Sequence, residues 1–131
     1  FVSHRITTVP GSSDYFNGSV VPYQNEIKIT QLGVKQETLE THGAVSEATV
    51  SEMADRIREN FKADFGLASS GIAGPGGGTT EKPVGTIWIA CAQKNKVTTR
   101  KLSLTNDREV NIQITSVALL TMLYQRLVKN D

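Results

Sequence analysis

Amphipathic helical patterns interleaved with short uncharged apolar runs predict an α/β protein, a three-layer α/β/α sandwich with a mixed β-sheet between helices. Two apolar runs carry that prediction. Phe65 to Ser70 reads as one buried strand, and Val84 to Ala92, with Val84, Ile87, Trp88 and Ile89 and no charge, reads as a second. The third observation is helical: Val50, Met53, Ala54, Ile57 and Phe61 recur at intervals of three and four residues. That spacing lines them up as one apolar stripe.

The elements follow in order. Phe1 to Val9 reads as the middle of a helix, with no N-cap residue before it and Pro10-Gly11 as its stop. It looks like a domain lacking its first piece. Gly18 to Tyr23 is a short strand candidate, and Pro22, lacking an N–H, places it where that donor is not needed. Asn25 is a plausible N-cap for a short helix through Leu32, closed by Gly33. Lys35 to Thr41 adds a helical turn or two before Gly43, with His42 at its end. Ser46 opens the helix that carries the Val50 stripe. Glu47 complements its dipole, and Glu52, Asp55, Arg58 and Glu59 are expected to face water. Gln93 to Lys96 is a polar turn, and Val97 to Leu104 alternates well enough for an antiparallel strand. Thr105-Asn106-Asp107 offers caps for a last helix from about Arg108 to Val128. Its expected buried side is Val110, Ile114, Val117, Leu120, Leu123 and Leu127.

The 131 residues suit one domain, and the net charge of +1 with 6% aromatics argues against a nucleic-acid partner. Cys91 sits in an apolar run and reads as a buried structural thiol, since one cysteine makes neither disulfide nor zinc cluster. No apolar run approaches the roughly 18 residues of a membrane span, and no signal peptide is visible. The default setting is soluble and cytoplasmic, with no membrane partner.

Six of the eleven glycines fall between Gly71 and Gly85, directly after a buried strand. Such a loop can present successive backbone N–H groups to an anion, or it can simply be a long surface loop. A strand follows it, so it is neither a dinucleotide fingerprint nor a Walker A loop. Lys82 is either a positive charge beside a bound phosphate or an ordinary solvated lysine. Tyr23 ends a strand candidate and Lys28 lies on the first turn of the next helix, so both can face one crevice. A desolvated lysine there can act as a base toward a hydroxyl, and on spacing alone two ordinary surface residues fit equally. Arg108 at a helix N-terminus opposes the helix dipole, which invites an anion unless Asp107 offsets it. His4 and His42 are too isolated for a metal site, and no carboxylate pair stands out.

Taken together, V-P-G-S-S at 9–13, Y-Q-N-E-I-K at 23–28, L-G-V at 32–34, H-G-A-V-S-E at 42–47, G-I-A-G-P-G-G-G at 71–78, E-K-P-V-G-T at 81–86 and D-R at 107–108 resemble one family. It is the C-terminal domain of the CinA competence/damage-inducible proteins, which includes nicotinamide mononucleotide deamidases. The resemblance covers nearly the whole chain. It implies a three-layer α/β/α domain over residues 1–131, N-terminally incomplete, and hydrolysis of nicotinamide mononucleotide to nicotinate mononucleotide and ammonia. It implies no cofactor, no metal and a homodimer. In the family a serine attacks the amide carbon with the help of a lysine base, a tyrosine and an arginine. The resemblance puts these last three on Tyr23, Lys28 and Arg108. By analogy Gly71, Ile72, Ala73, Gly74, Pro75, Gly76, Gly77 and Gly78 wall the nucleotide's phosphate or ribose. The family's serine segment should sit just before Phe1. The chain alone is therefore expected to be inactive. The alternative is a non-catalytic nucleotide-binding or assembly module of a two-domain CinA protein.

Overall fold

The computed structural model describes residues 1–129. Five helices, α1 (Val2–Thr7), α2 (Asn25–Ile27), α3 (Gln36–His42), α4 (Glu47–Asn60) and α5 (Arg108–Lys129), accompany three strands. The strands are β1 (Gly66–Gly71), β2 (Thr86–Gln93) and β3 (Lys96–Ser103), in the spatial order β1-β2-β3. Both pairings are antiparallel, with Ala68 opposite Ala90 and Ala90 opposite Thr99. The α/β class expected from the sequence is found. The sheet differs in one respect: among the described residues it is wholly antiparallel rather than mixed. The long glycine loop folds back on itself, so β2 returns beside β1, and a two-residue turn at Lys94-Asn95 then brings β3 alongside.

Helices cover both faces of this sheet. The strand period of two sends alternate side chains of β2 to opposite sides. Ile87, Ile89 and Cys91 meet Leu119 and Met122 of α5, whereas Ala90 and Ala92 meet Val50, Met53 and Ala54 of α4. Each residue in that list is buried, which is why β2 reads as a continuous apolar run without charge. Burial also pushes the Cys91 thiol upward from its ordinary pKa, with Arg126 pulling weakly the other way.

Caps and turns obey local chemistry. The Ser46 side chain accepts from Thr49 N at 3.2 Å and so starts α4. Asn25 is the first residue of α2 rather than its cap. The helix then widens into a π-helical turn over Lys28–Leu32 and stops at Gly33. Glu52, expected in water, instead reaches α3, where it accepts from Lys35 N at 2.9 Å and from the Thr38 hydroxyl.

Two further expectations need correction. Gly18 to Tyr23 forms no strand, because no neighbouring strand supplies a ladder partner. The buried side of α5 is also rotated from the expected one. Val110, Ile114, Val117 and Leu127 are exposed and Leu120 and Leu123 are half-buried. The helix packs instead through Asn111, Thr115, Ser116, Leu119 and Met122. Its first two turns bury polar groups that bond locally, as Thr115 Oγ1 does to Asn111 O at 2.7 Å. Apolar periodicity cannot find such a face.

Candidate active site

Three segments distant in sequence meet at the N-terminal end of α5. Arg108 is the first residue of that helix. Its guanidinium donates from Nη1 to Gly74 O at 3.0 Å and from Nη2 to the Tyr23 hydroxyl at 3.2 Å. Asp107 does not neutralise it. Asp107 Oδ1 accepts from Val110 N at 3.1 Å and caps the helix instead. Among the described residues no carboxylate pairs with Arg108, so a charged fork opposes the helix dipole without a counter-ion. That is the local arrangement an anion stabilises.

Lys28 lies behind the same wall. The π-helical turn at its position places the side chain inward, and only 6% of the residue is exposed. Its Nζ donates to Pro22 O at 2.9 Å and to Tyr23 O at 3.5 Å. Desolvation by burial lowers its pKa from the ordinary 10.5, and no carboxylate among the described residues pairs with it. Tyr23 itself is 79% exposed. The structure therefore brings the Tyr23 hydroxyl to Arg108 and the Tyr23 backbone to Lys28, whereas among the described residues the Lys28 ammonium bonds only to main-chain carbonyls.

The glycine loop is anchored at its base. Ile72 N donates to Thr86 O at 2.9 Å and Gly85 N to Ile72 O at 2.8 Å. Its far end is closed by Thr79 N on Lys82 O at 2.9 Å, and Lys82 Nζ reaches His42 O at 3.1 Å. Lys82 thus ties the loop to the C-terminal end of α3, where a cation suits the dipole. Two glycines serve the fold: Gly74 has φ +90°, and a Cβ on Gly78 would lie 2.7 Å from Val84 N. Gly76 differs. A Cβ there meets nothing within 4 Å and its φ lies outside the left-handed region. The N–H groups of Gly76, Gly77 and Gly78 have no protein acceptor among the described residues. They are free to meet a ligand.

One residue of this neighbourhood escaped the sequence reading. Asn111, one helical turn beyond Arg108, is fully buried. Its Nδ2 donates to Ala73 O at 3.0 Å and to Thr105 O at 2.8 Å. Its Oδ1 accepts from Thr105 N at 2.9 Å and from Thr105 Oγ1 at 2.8 Å. Arg108 and Asn111, on one face of α5, therefore hold the consecutive carbonyls of Gly74 and Ala73. The only sequence signal was an asparagine three residues after Arg108 in a helix with caps already supplied. Among the described residues no three His, Cys, Asp or Glu side chains come together as metal ligands. No helix among them is long and apolar enough to cross a membrane.

The fold and site together define a class: an α/β domain with a glycine-rich loop, an unneutralised arginine at a helix N-terminus and a buried lysine joined to it through Tyr23. Residues 1–127 match the family model of the CinA C-terminal domain, and the chain belongs to that family. A CinA-like protein of Cytophaga hutchinsonii is 53% identical over 127 residues, covering 97% of this chain and 30% of the relative. A CinA-like protein of Amoebophilus asiaticus is 54% identical over 127 residues, again covering 97% of this chain and 30% of the relative. The chain thus spans less than a third of the length of these relatives. Among solved structures, a competence/damage inducible protein from Agrobacterium tumefaciens superposes with TM-score 0.92 at 36% identity, covering 95% of this chain and 76% of that one. The competence damage-inducible protein A from Klebsiella pneumoniae gives TM-score 0.93 at 31% identity, covering 98% and 80%.

Proposed function

We propose that this chain is the greater part of an amidohydrolase domain that converts nicotinamide mononucleotide to nicotinate mononucleotide and ammonia, acting in the cytoplasm as a homodimer. The observation that carries the reading is the Arg108 fork, bonded to Gly74 O and Tyr23 Oη yet paired with no carboxylate, beside a lysine whose pKa is lowered by burial. An anionic mononucleotide suits that arginine and the free N–H groups of Gly76 to Gly78. A lysine biased toward its neutral form can take a proton from an attacking hydroxyl and return it to the leaving ammonia. Donors near the carbonyl oxygen then stabilise the tetrahedral oxyanion.

A second reading has its own support. Among the described residues Lys28 Nζ bonds to no hydroxyl or thiol. By itself the chain therefore suits nucleotide binding without turnover, or a module of a longer CinA protein. Ammonia release from nicotinamide mononucleotide tests both readings at once, using the 131-residue chain, its Lys28→Ala variant and the polypeptide of the complete reading frame. We expect turnover only from the complete polypeptide, and its loss there in Lys28→Ala. Turnover by the short chain above its own Lys28→Ala control overturns the claim that the nucleophile lies outside it. No turnover by the complete polypeptide overturns the deamidase and leaves the binding module.

A further inference from the structure

From Thr86 to Ala92 every side chain of the central strand β2 is buried except one. The exception is Trp88, the chain's one tryptophan. A strand between two helical layers has both faces covered, so a half-buried indole there marks a gap in the cover. The ring is also unused. Buried indole N–H groups usually find an acceptor. The Trp88 N–H has none among the described residues and is not sealed from solvent, since the one sealed polar side-chain atom without a partner is Ser116 Oγ. Nor does any cation or second ring among the described residues stack on the indole.

The strand register fixes where this gap lies. Trp88 stands between Ser70 of β1 and Lys101 of β3. Alternation puts it on the α4 side of the sheet with Ala90 and Ala92, where it borders the same apolar cluster as Ile29, the residue after Lys28. Along the strands it lies at the glycine-loop end, two positions from Thr86, whose carbonyl holds the base of the loop. The Lys82–His42 bond brings the residues before α4 to that same end. Gly74, the anchor of Arg108, is the fourth residue after Ser70, so at most about 14 Å of chain separates them. The indole, the Arg108 fork and the free N–H groups of Gly76 to Gly78 therefore border one end of the sheet.

We propose that Trp88 is the platform for the pyridine ring of the mononucleotide and selects the ring's charge. This rests on the reading of the ligand as nicotinamide mononucleotide. The N-glycosylated pyridine of that ligand carries a permanent positive charge, and indole is the best aromatic partner for a cation above its face. The contact gains most where water is largely excluded, as it is on a half-buried ring over a buried strand. One ligand then spends its two opposite charges separately, the phosphate on Arg108 and the loop N–H groups, the pyridinium on Trp88. Lys101 flanks the indole on the β3 side and is exposed. Its charge directs a cationic ring toward the Ser70 side.

Calorimetry on the polypeptide of the complete reading frame tests it with two ligands. They are nicotinamide mononucleotide and its reduced dihydropyridine form, which keeps the phosphate and ribose but has a neutral ring. Wild type should bind the charged ring about fivefold or more tighter than the neutral one. Trp88→Leu should lose most of that preference, and Trp88→Phe, which keeps a ring and guards against a folding defect, should fall between. Nicotinamide mononucleotide should also quench indole emission in wild type, by an amount that Trp88→Phe loses. A preference absent from wild type, or unchanged in Trp88→Leu, overturns the proposal. So does an equal weakening of both ligands with the preference kept, which makes Trp88 a purely structural residue. Wild type that binds neither ligand overturns it together with the mononucleotide reading. Selective binding without ammonia release supports the platform and removes the deamidase alone.

Discussion

Replacing Asn111 with alanine should damage the fold and the candidate site through one set of bonds. The amide is completely buried and uses both its donors and its acceptor. Three of the four bonds run to Thr105, which is exposed, so water can replace much of their value. A net loss of about 1 kcal/mol covers them together, given roughly 0.5–1.5 kcal/mol for a replaceable bond. The fourth bond, to Ala73 O at 3.0 Å, leaves a half-buried carbonyl unpartnered and a small void beside it, for about 2 kcal/mol more. The sum is about 3 kcal/mol, or roughly 10 °C in Tm for a domain of this size. Urea unfolding measures it: the midpoint should fall with the slope unchanged, since the same surface is exposed on unfolding. Amide exchange should accelerate over the loop from Ile72 to Gly78. Asn111→Asp separates the causes, because it retains the acceptor for Thr105 N and turns the donor facing Ala73 O into a second acceptor. Its deficit should narrow as pH falls and the carboxyl gains a proton to donate. An alanine variant within about 1 kcal/mol of wild type, with loop exchange unchanged, would refute the reasoning.

Lys28 and Gly76 yield the other predictions. Because burial lowers the Lys28 pKa below 10.5, the unfolded chain binds more protons than the native one between the folded value and 10.5. Stability therefore gains from Lys28 as pH rises through that window, and the penalty of the buried charge is complete below it. Lys28→Met should compare most favourably with wild type at neutral pH, with the difference shrinking as urea melts are carried toward pH 10. A difference independent of pH would contradict the burial argument. Gly76→Ala should leave Tm unchanged or slightly raised, since the added Cβ meets nothing and the backbone is unstrained. It should nevertheless weaken nicotinamide mononucleotide binding by calorimetry, by about tenfold if the loop approaches the ligand there. Equal affinity would remove Gly76 from the binding wall.

What the sequence disclosed follows from which forces leave a periodic trace. β2 was legible because both of its faces are apolar, and α4 because Ser46 caps it and Val50, Met53 and Ala54 hold one stripe. The packing face of α5 was not. Asn111 and Thr115 are buried by mutual and loop hydrogen bonds and Ser116 is buried with its hydroxyl unpartnered among the described residues, while Val110, Ile114 and Val117 stand exposed. Hydropathy assigned that helix face in reverse. Gly18 to Tyr23 has strand composition, but a strand also needs a neighbour, which no local pattern supplies. At the site, the glycine count, the Tyr23–Lys28 spacing and the place of Arg108 at a helix N-terminus were visible, and the family resemblance joined them. The bond that joins them, Arg108 to Tyr23 across 85 positions, depends on tertiary folding alone.

The capping of α5 explains why Arg108 stays available. Had Asp107 paired with the guanidinium, the helix would have lost a cap and the arginine its excess charge. Asp107 bonds instead to Val110 N, while Arg108 is oriented by two neutral oxygens, Gly74 O and Tyr23 Oη. Neutral acceptors fix a guanidinium without cancelling it. The two are not equally committed. Gly74 O belongs to a buried loop residue whose neighbouring carbonyl is held by Asn111, whereas Tyr23 is largely exposed and free to swing away. An arriving anion can therefore displace the tyrosine hydroxyl and keep the anchor on Gly74. It exchanges one neutral hydrogen bond for a charge-assisted one, roughly twice as strong. The arginine that opposes its own helix dipole is thus held in the orientation that an anionic ligand would complete.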